Sequence, residues 1–280
     1  MKKLLMIVGP TAVGKTVYAI KVAKMLDTEI VSCDSRQCYC ELRIGVARPS
    51  EDELGSVKHH FIANRSVREP YNVFTYEQEA MERIHNLFNS HDIVVAVGGS
   101  GLYADALCQG IALLPDPTPE LRAELQALPL DELQGRLKAL DPAYFERVDK
   151  QNPVRLQRAL EVIRMTGRPY SEVIRQTKMK RPFEIEKIGL YCQPHILRER
   201  IDRRASLMAE EGLVEEVRSL TPLRNLQPLN TVGYKEIFAM LDGTCTEETA
   251  LSAVKTHSWQ YAKKQMSYFK RDKSILWKEN

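Results

Sequence analysis

The feature that most limits what this chain can become is GPTAVGKT, residues 9–16, directly after the apolar run LLMIV (4–8). The eight residues fit G-x-x-x-x-G-K-[ST]. In that pattern glycines let backbone N–H groups converge on anionic oxygens. The lysine adds a point charge, the following helix adds the positive end of its dipole, and the last hydroxyl can hold Mg²⁺. The run before the loop reads as a buried strand. TVYAIKVAKML (16–26) after it reads as a helix with Val17, Ile20, Ala23 and Met25–Leu26 near one face. Gly9, Pro10, Thr11, Ala12, Val13, Gly14, Lys15 and Thr16 are therefore the expected phosphate-binding residues, with Thr16 the expected Mg²⁺ ligand.

Further strands are expected at TEIVSCDS (28–35), in the apolar run of HDIVVAVGGSGLY (91–103), at EIEKIGLYCQP (184–194) and at SILWK (274–278). Strands separated by helices predict an α/β fold, a P-loop NTPase-like and mostly parallel sheet with helices on both faces. The stretch between the third and fourth strands differs. It opens with ALLPDPTPELR (112–122), where three prolines within five residues stiffen the connector, and closes with MKRPFE (179–184). Between them LDELQGRLKAL (130–140) is amphipathic. NPVRLQRALEVIRMTGRP (152–169) has Asn152 placed as a cap, Pro153 at the first helical position and a stop at Gly167. Residues 112–182 are thus expected to form a helical insertion domain, and 1–111 with 183–280 the catalytic core.

The loop alone leaves the reaction open, because a kinase, an NTPase and a transferase that expels diphosphate all need the same cradle. A strand ending in Asp would supply the second NTPase part, but IVVAVGGSG ends in glycines. The carboxylate on offer is Asp34, after EIVSC at the end of the second strand, where open α/β sheets place ligands. It can serve Mg²⁺, act as a base, or cap a turn beside Ser35. Arg200 and Arg204, i and i+4 on one helical face, are candidates for a departing anion.

The chain resembles the tRNA dimethylallyltransferases, the isopentenyltransferase family. The resemblance covers nearly all of it: GPTAVGKT (9–16), DSRQCYCELRIGVARP (34–49), HHF (59–61), VGGSGLY (97–103), NPVRLQRALEV (152–162), RIDRR (200–204) with EEGLVEEV (210–217), TVGYKE (231–236) and YAKKQMSYFKR (261–271). It implies that dimethylallyl diphosphate lies in the loop, that its five-carbon group moves to N6 of the adenosine 3′ to the anticodon, and that diphosphate leaves. The N–H groups of 11–16, Lys15, a Thr16-held Mg²⁺, Arg200 and Arg204 would meet the charge on that leaving group. By resemblance Asp34 is the base. The resemblance also implies tRNA contacts from Asp34, Ser35, Arg36 and Gln37, from Ser100 (where the family usually has Thr) and from Arg122. It implies them too from Val154, Arg155, Leu156, Gln157 and Arg158, and from Asn230, Thr231, Val232, Gly233, Tyr234 and Lys235. Gly98, Gly99 and Gly101 would let the backbone approach closely beside Ser100.

Net charge is only +3, so distribution carries the RNA reading. From Thr249 through Arg271 there is no acidic residue, against Lys255, Lys263, Lys264, Lys270 and Arg271; the insert helix sets Arg155, Arg158, Arg164 and Arg168 against Glu161. Such stripes predict phosphate tracks for a tRNA anticodon stem-loop. Trp259, Tyr261, Tyr268, Phe269 and Trp277 are stacking candidates that helical spacing assigns to core. His59–His60 reads as a loop rather than a metal site, since no nearby set of ligands completes one. Six cysteines without a C-x-x-C pair fit a reducing compartment. MKKLLMIV imitates a leader, but its five apolar residues fall short of the ~7–15 of a secretory core, and no run approaches the ~20 of a membrane span. The expectation is a cytoplasmic, non-membrane monomer. Three rivals stand beside the tRNA reading: a prenyltransferase acting on free AMP or ATP, a P-loop small-molecule kinase, and a non-enzymatic RNA-binding module.

Overall fold

The structure, a computed structural model, describes residues 1–175 and 179–280. It divides into two compact units, Met1–Cys108 with Arg181–Asn280, and Gln109–Lys180. The first is built on six strands: β1 Lys3–Val8, β2 Ile30–Ser32, β3 His59–His60, β4 Ile93–Gly98, β5 Glu184–Tyr191 and β6 Ile275–Glu279. Their order is β3-β2-β4-β1-β5-β6, and every pairing between these strands is parallel. Five strands are legible in the sequence. The sixth is the edge strand His59–His60, read there as a loop: two residues are too few for an alternation to register.

Alternation along the central strands sends side chains to both faces of the sheet. Leu4, Met6, Val8, Val94 and Ala96 pack with Ile84 and Leu107, from the helices Val73–Leu87 and Gly101–Gln109. Leu5, Ile7, Val95 and Val97 pack on the other face with Ala19 and Ala23 from the helix Lys15–Met25, and with Leu197 and Ile201 from Pro194–Glu210. Each buried Leu, Ile or Val contributes about 1.5–3 kcal/mol. Burial on both sides explains why these strands read as continuous apolar runs.

The helix after the phosphate loop corrects one expectation. Its buried residues are Ala19 and Ala23, whereas Met25 is 76% exposed and Val17 is exposed as well. The helix springs from the end of β1 and lies close against the sheet, so the contact takes small side chains. A third core sits elsewhere in this unit, where Leu42, Leu213, Val217, Tyr234 and Ile237 pack together.

The second unit contains five helices among its described residues, Pro119–Gln126, Leu130–Leu140, Pro142–Phe145, Pro153–Thr166 and Tyr170–Arg175. Leu125, Leu133, Leu137, Leu156 and Leu160 form its core. In Pro153–Thr166 the Asn152 side chain accepts from the Arg155 N–H at 3.3 Å, Pro153 opens the helix and Gly167 ends it at φ 66°. No described helix is long and apolar enough to cross a membrane.

Candidate active site

A cavity of about 850 Å³ opens in the first unit where β1, β2 and β4 end. Its floor is the phosphate loop. Positive φ at Gly9 (150°), Ala12 (63°) and Gly14 (93°) bends that loop, and a Cβ on Gly9 would lie 2.6 Å from the Leu190 carbonyl oxygen. The Thr11 N–H is not available for an anion, because it donates to Gln265 Oε1 at 2.8 Å. The N–H groups of residues 12–16 donate to no described protein atom, so five of the six expected N–H groups of 11–16 are left unbonded at the cavity floor. Lys15 Nζ folds over the loop to the Pro10 carbonyl, 2.7 Å away. Burial pushes its amine down to about 8; Asp34 opposes that shift and Arg204 adds to it. Burial also lowers Arg204, against the pull of Asp34. Two cations brought together with so little counter-charge favour a polyanion between them.

The paired arginines part company. Arg204 lines the cavity and donates to Thr11 Oγ1 at 3.0 Å. Arg200 is turned to the back of the loop, where its Nη1 lies 3.3 Å from both the Val13 and the Asn280 carbonyl oxygens. It braces the cradle and is not part of the cavity wall. One helical turn separates the two, which is why spacing alone could not distinguish them.

Asp34 faces the loop across the cavity. Its Oδ1 accepts from the N–H groups of Arg36 at 2.9 Å and Gln37 at 3.3 Å, closing the turn after β2. Oδ2 accepts no hydrogen bond from any described residue. One oxygen of Asp34 thus closes the turn, and the other is left unbonded toward the cavity it lines. Ser35 is held by Ser100, whose Oγ accepts from the Ser35 N–H at 3.0 Å and donates to Ser35 Oγ at 3.1 Å. Ser100 is only 8% exposed; it ties the turn carrying Asp34 to the end of β4, and its hydroxyl also meets that of the cavity-lining Tyr261. The neighbouring glycines also serve packing. A Cβ would lie 2.4 Å from the Cys33 carbonyl oxygen at Gly98, 2.4 Å from Gln265 Nε2 at Gly99 and 2.3 Å from the Tyr268 ring at Gly101.

The opposite wall is made of Arg36, Gln37, Gly45–Ala47, and Asn230, Thr231, Val232, Gly233 and Lys235. Tyr234, in the middle of that expected RNA segment, has 0% exposure and cannot touch RNA; it belongs to the core beneath. One face of the helix Glu247–Phe269 closes the cavity with His257, Ser258, Tyr261, Lys264 and Gln265. Three of these add to the site residues expected from the sequence. Gln265 bridges the Thr11 N–H and the Gly99 carbonyl, the latter at 2.9 Å. His257 Nδ1 lies 2.6 Å from Oε1 of buried Glu236, whose Oε2 accepts from the Gly233 N–H at 2.8 Å. Tyr261 is 41% exposed, whereas Phe269 is core, Tyr268 and Trp277 pack against the cluster that contains it, and Trp259 packs against the cluster on the other face of the sheet. The i, i+4 pair Tyr261–Gln265 in YAKKQ is the signal that could have found this face.

In the second unit Val154 and Arg155 are exposed, and Gln157 donates to the Leu125 carbonyl at 3.4 Å. Leu156 has 0% exposure and is a core residue, not an RNA contact. The arginine stripe is also less bare than the sequence implies. Arg158 and Arg122 approach Glu161 at 3.1 and 3.7 Å, Arg164 approaches Glu124 at 3.2 Å, and Arg168 approaches Glu172 at 3.8 Å. Glu124 comes from another helix, so the balance of charge on this face is not visible along one segment.

A parallel sheet with a phosphate loop at the end of its central strand, and a carboxylate facing that loop across a cavity, defines a P-loop α/β protein built for a phosphate-bearing substrate. A model of the IPP transferase family matches residues 37–272, and a tRNA dimethylallyltransferase of Christiangramia forsetii is 44% identical, covering 99% of this chain and 93% of its own. The chain belongs to the IPP transferase family and is a prenyltransferase. The full-length tRNA isopentenylpyrophosphate transferase of Bacillus halodurans superposes with a TM-score of 0.74 at 33% identity, over 100% of this chain and 90% of that one. A eukaryotic dimethylallyltransferase acting on tRNA shares the fold, with a TM-score of 0.82 at 24% identity over 100% of this chain and 74% of that one.

Proposed function

We propose that this enzyme transfers the dimethylallyl group of dimethylallyl diphosphate to N6 of the adenosine 3′ to the anticodon of a tRNA, and that it works in the cytoplasm. The observation that carries the reading is the Asp34 carboxylate, with one oxygen fixed in a turn and the other unbonded, in the same cavity as Lys15, Thr16 and Arg204. The names of the relatives favour tRNA over a free nucleotide, and prenyl transfer over phosphoryl transfer.

In the reaction the bond between the allylic carbon and the diphosphate oxygen breaks, and diphosphate leaves with the electron pair. N6 forms the new bond to that carbon and gives up a proton, which Asp34 Oδ2 takes. A base at this point contributes about 10²–10⁴-fold. The N–H groups of 12–16, Lys15 and Arg204 strengthen their hold as charge collects on diphosphate, which is where binding energy lowers a barrier. The Thr16 hydroxyl, unbonded to any described residue, is an oxygen donor of the kind Mg²⁺ takes when substrate phosphates and water fill its other positions. When bound, the ion neutralises part of the leaving group's charge.

Arg155 on the second unit, and Lys263 and Lys264 on the C-terminal helix, are exposed cations suited to RNA phosphates. An unpaired loop base can then enter the cavity and be read at its edges, with Tyr261 as an aromatic face. Labelled dimethylallyl diphosphate offered with tRNA, with AMP, or with neither decides the matter. Label should appear in tRNA alone; label in AMP would establish the free-nucleotide acceptor instead.

A further inference from the structure

Glu216 lies outside the cavity, on the helix Leu213–Ser219. Its carboxylate gathers four hydrogen bonds. Oε2 accepts from the N–H groups of Arg43 at 3.2 Å and Ile44 at 2.8 Å. Oε1 accepts from the N–H of Gly45 at 3.1 Å and the hydroxyl of Tyr234 at 2.6 Å. The four sites of an ionised carboxylate are thereby filled. The donors come from two segments almost two hundred residues apart in sequence, and both continue straight into the cavity wall: Gly45–Ala47 on one side, Asn230–Gly233 on the other.

The two segments are also pressed together. A Cβ on Gly45 would stand 2.5 Å from the Tyr234 ring, and a Cβ on Gly233 would stand 3.4 Å from the Gly45 carbonyl oxygen. Ala47 sits at φ 45°, a conformation that surrounding contacts must hold for a residue with a side chain. Burial and the adjacent carboxylate push the Tyr234 phenol upward, so it remains a donor. Nothing of this kind links Glu216 to the phosphate loop. That loop is tied down by Gln265, through Thr11 and Gly99, and by Arg204.

We infer that Glu216 is a positioning residue for the acceptor, one that sets the shape of the wall opposite the phosphate loop through the backbone of 43–45 and the hydroxyl of Tyr234. This rests on the reading that tRNA is the acceptor. A carboxamide cannot replace the carboxylate, because its NH₂ faces donors and two or more of the four bonds are lost. Acceptor binding should then weaken while donor binding does not. A role confined to stability would instead lower the fraction of active enzyme, leaving the KM for both substrates where it was.

The test is steady-state kinetics on the full chain with tRNA and dimethylallyl diphosphate, for wild type, Glu216→Gln and Tyr234→Phe. Glu216→Gln should raise the KM for tRNA by about tenfold to a hundredfold. Tyr234→Phe, which keeps the ring and loses one donor, should raise it less. The KM for dimethylallyl diphosphate should stay within about twofold in both. If Glu216→Gln does not fold, Tyr234→Phe decides. Transfer by the wild type with tRNA KM values unchanged in the folded variants would overturn the inference alone, as would an equal loss for the two substrates. A wild type that transfers nothing to tRNA would overturn the functional reading first.

Discussion

The end of the cavity proposed for the donor is lined from one continuous loop, by residues between Thr11 and Thr16, bent by its own glycines and anchored by a few side chains, Gln265, Arg204 and Arg200. The end proposed for the acceptor is lined by four stretches, near 36, 46, 232 and 260, held together by side chains such as Glu216 and Glu236 that themselves lie outside it or beneath it. The difference has a chemical ground. Diphosphate presents the same oxygens whatever is attached to it, so a loop of N–H groups suffices. An adenosine in an RNA loop has to be told from its neighbours, and that takes walls from several directions. Perturbations at the two ends should therefore separate cleanly.

The largest separation is expected at the point between the ends. Asp34→Asn keeps the size and the turn-closing oxygen and removes the base, so turnover should fall by about 10²–10⁴, while tRNA binding measured by filter retention should change little. Turnover within a few-fold of wild type would remove Asp34 from the chemistry.

Next comes Lys15→Ala, at the donor end only. It should cost about 10²–10³ in kcat, the range for one donor aimed at developing charge, with some increase in the KM for dimethylallyl diphosphate and none for tRNA. The same lysine gives a pH signature. Its pKa is lowered to about 8 in the free protein, so it is charged below that pH and loses its proton above it. Donor affinity should be level at neutral pH and fall as pH rises past about 8. Titration of dimethylallyl diphosphate binding between pH 6 and 10 reads this, and Lys15→Ala should abolish the inflection.

A smaller contrast lies within the donor end. Arg204→Ala removes a cation from the cavity, whereas Arg200→Ala removes a brace behind the loop. The first should lower kcat/KM by about tenfold more than the second, the value of roughly one charge-assisted hydrogen bond. Equal effects would mean that the two act as one unit.

The smallest effect is expected in the second unit. Arg155 is exposed with no ion pair among the described residues, while Arg158, Arg164 and Arg168 each face a glutamate. Arg155→Ala should lower the salt dependence of tRNA binding by less than about one unit, since a single strand gives roughly 0.7 per phosphate. Arg164→Ala should lower it less. Parallel salt plots for wild type and Arg155→Ala would show this face to be ordinary solvated surface.

By itself the sequence determined what depends on a few neighbouring residues: the loop between its strand and helix, the apolar runs of β1 and β4, and the helix that Asn152 and Pro153 open and Gly167 closes. The bonds responsible are local, so the signal is local. Only the tertiary structure decided which motif residues meet the cavity. Leu156, Tyr234 and Ser100 lie in motifs, yet they face inward toward a core or a neighbouring turn. Arg204 and Arg200 share a helical face and do different work. Gln265 reaches the loop from 254 residues away. Whether a side chain is exposed, and what it touches, depends on the segments packed around it. Those segments are brought together by burial of the sheet's two faces, which a pattern read along the chain does not record.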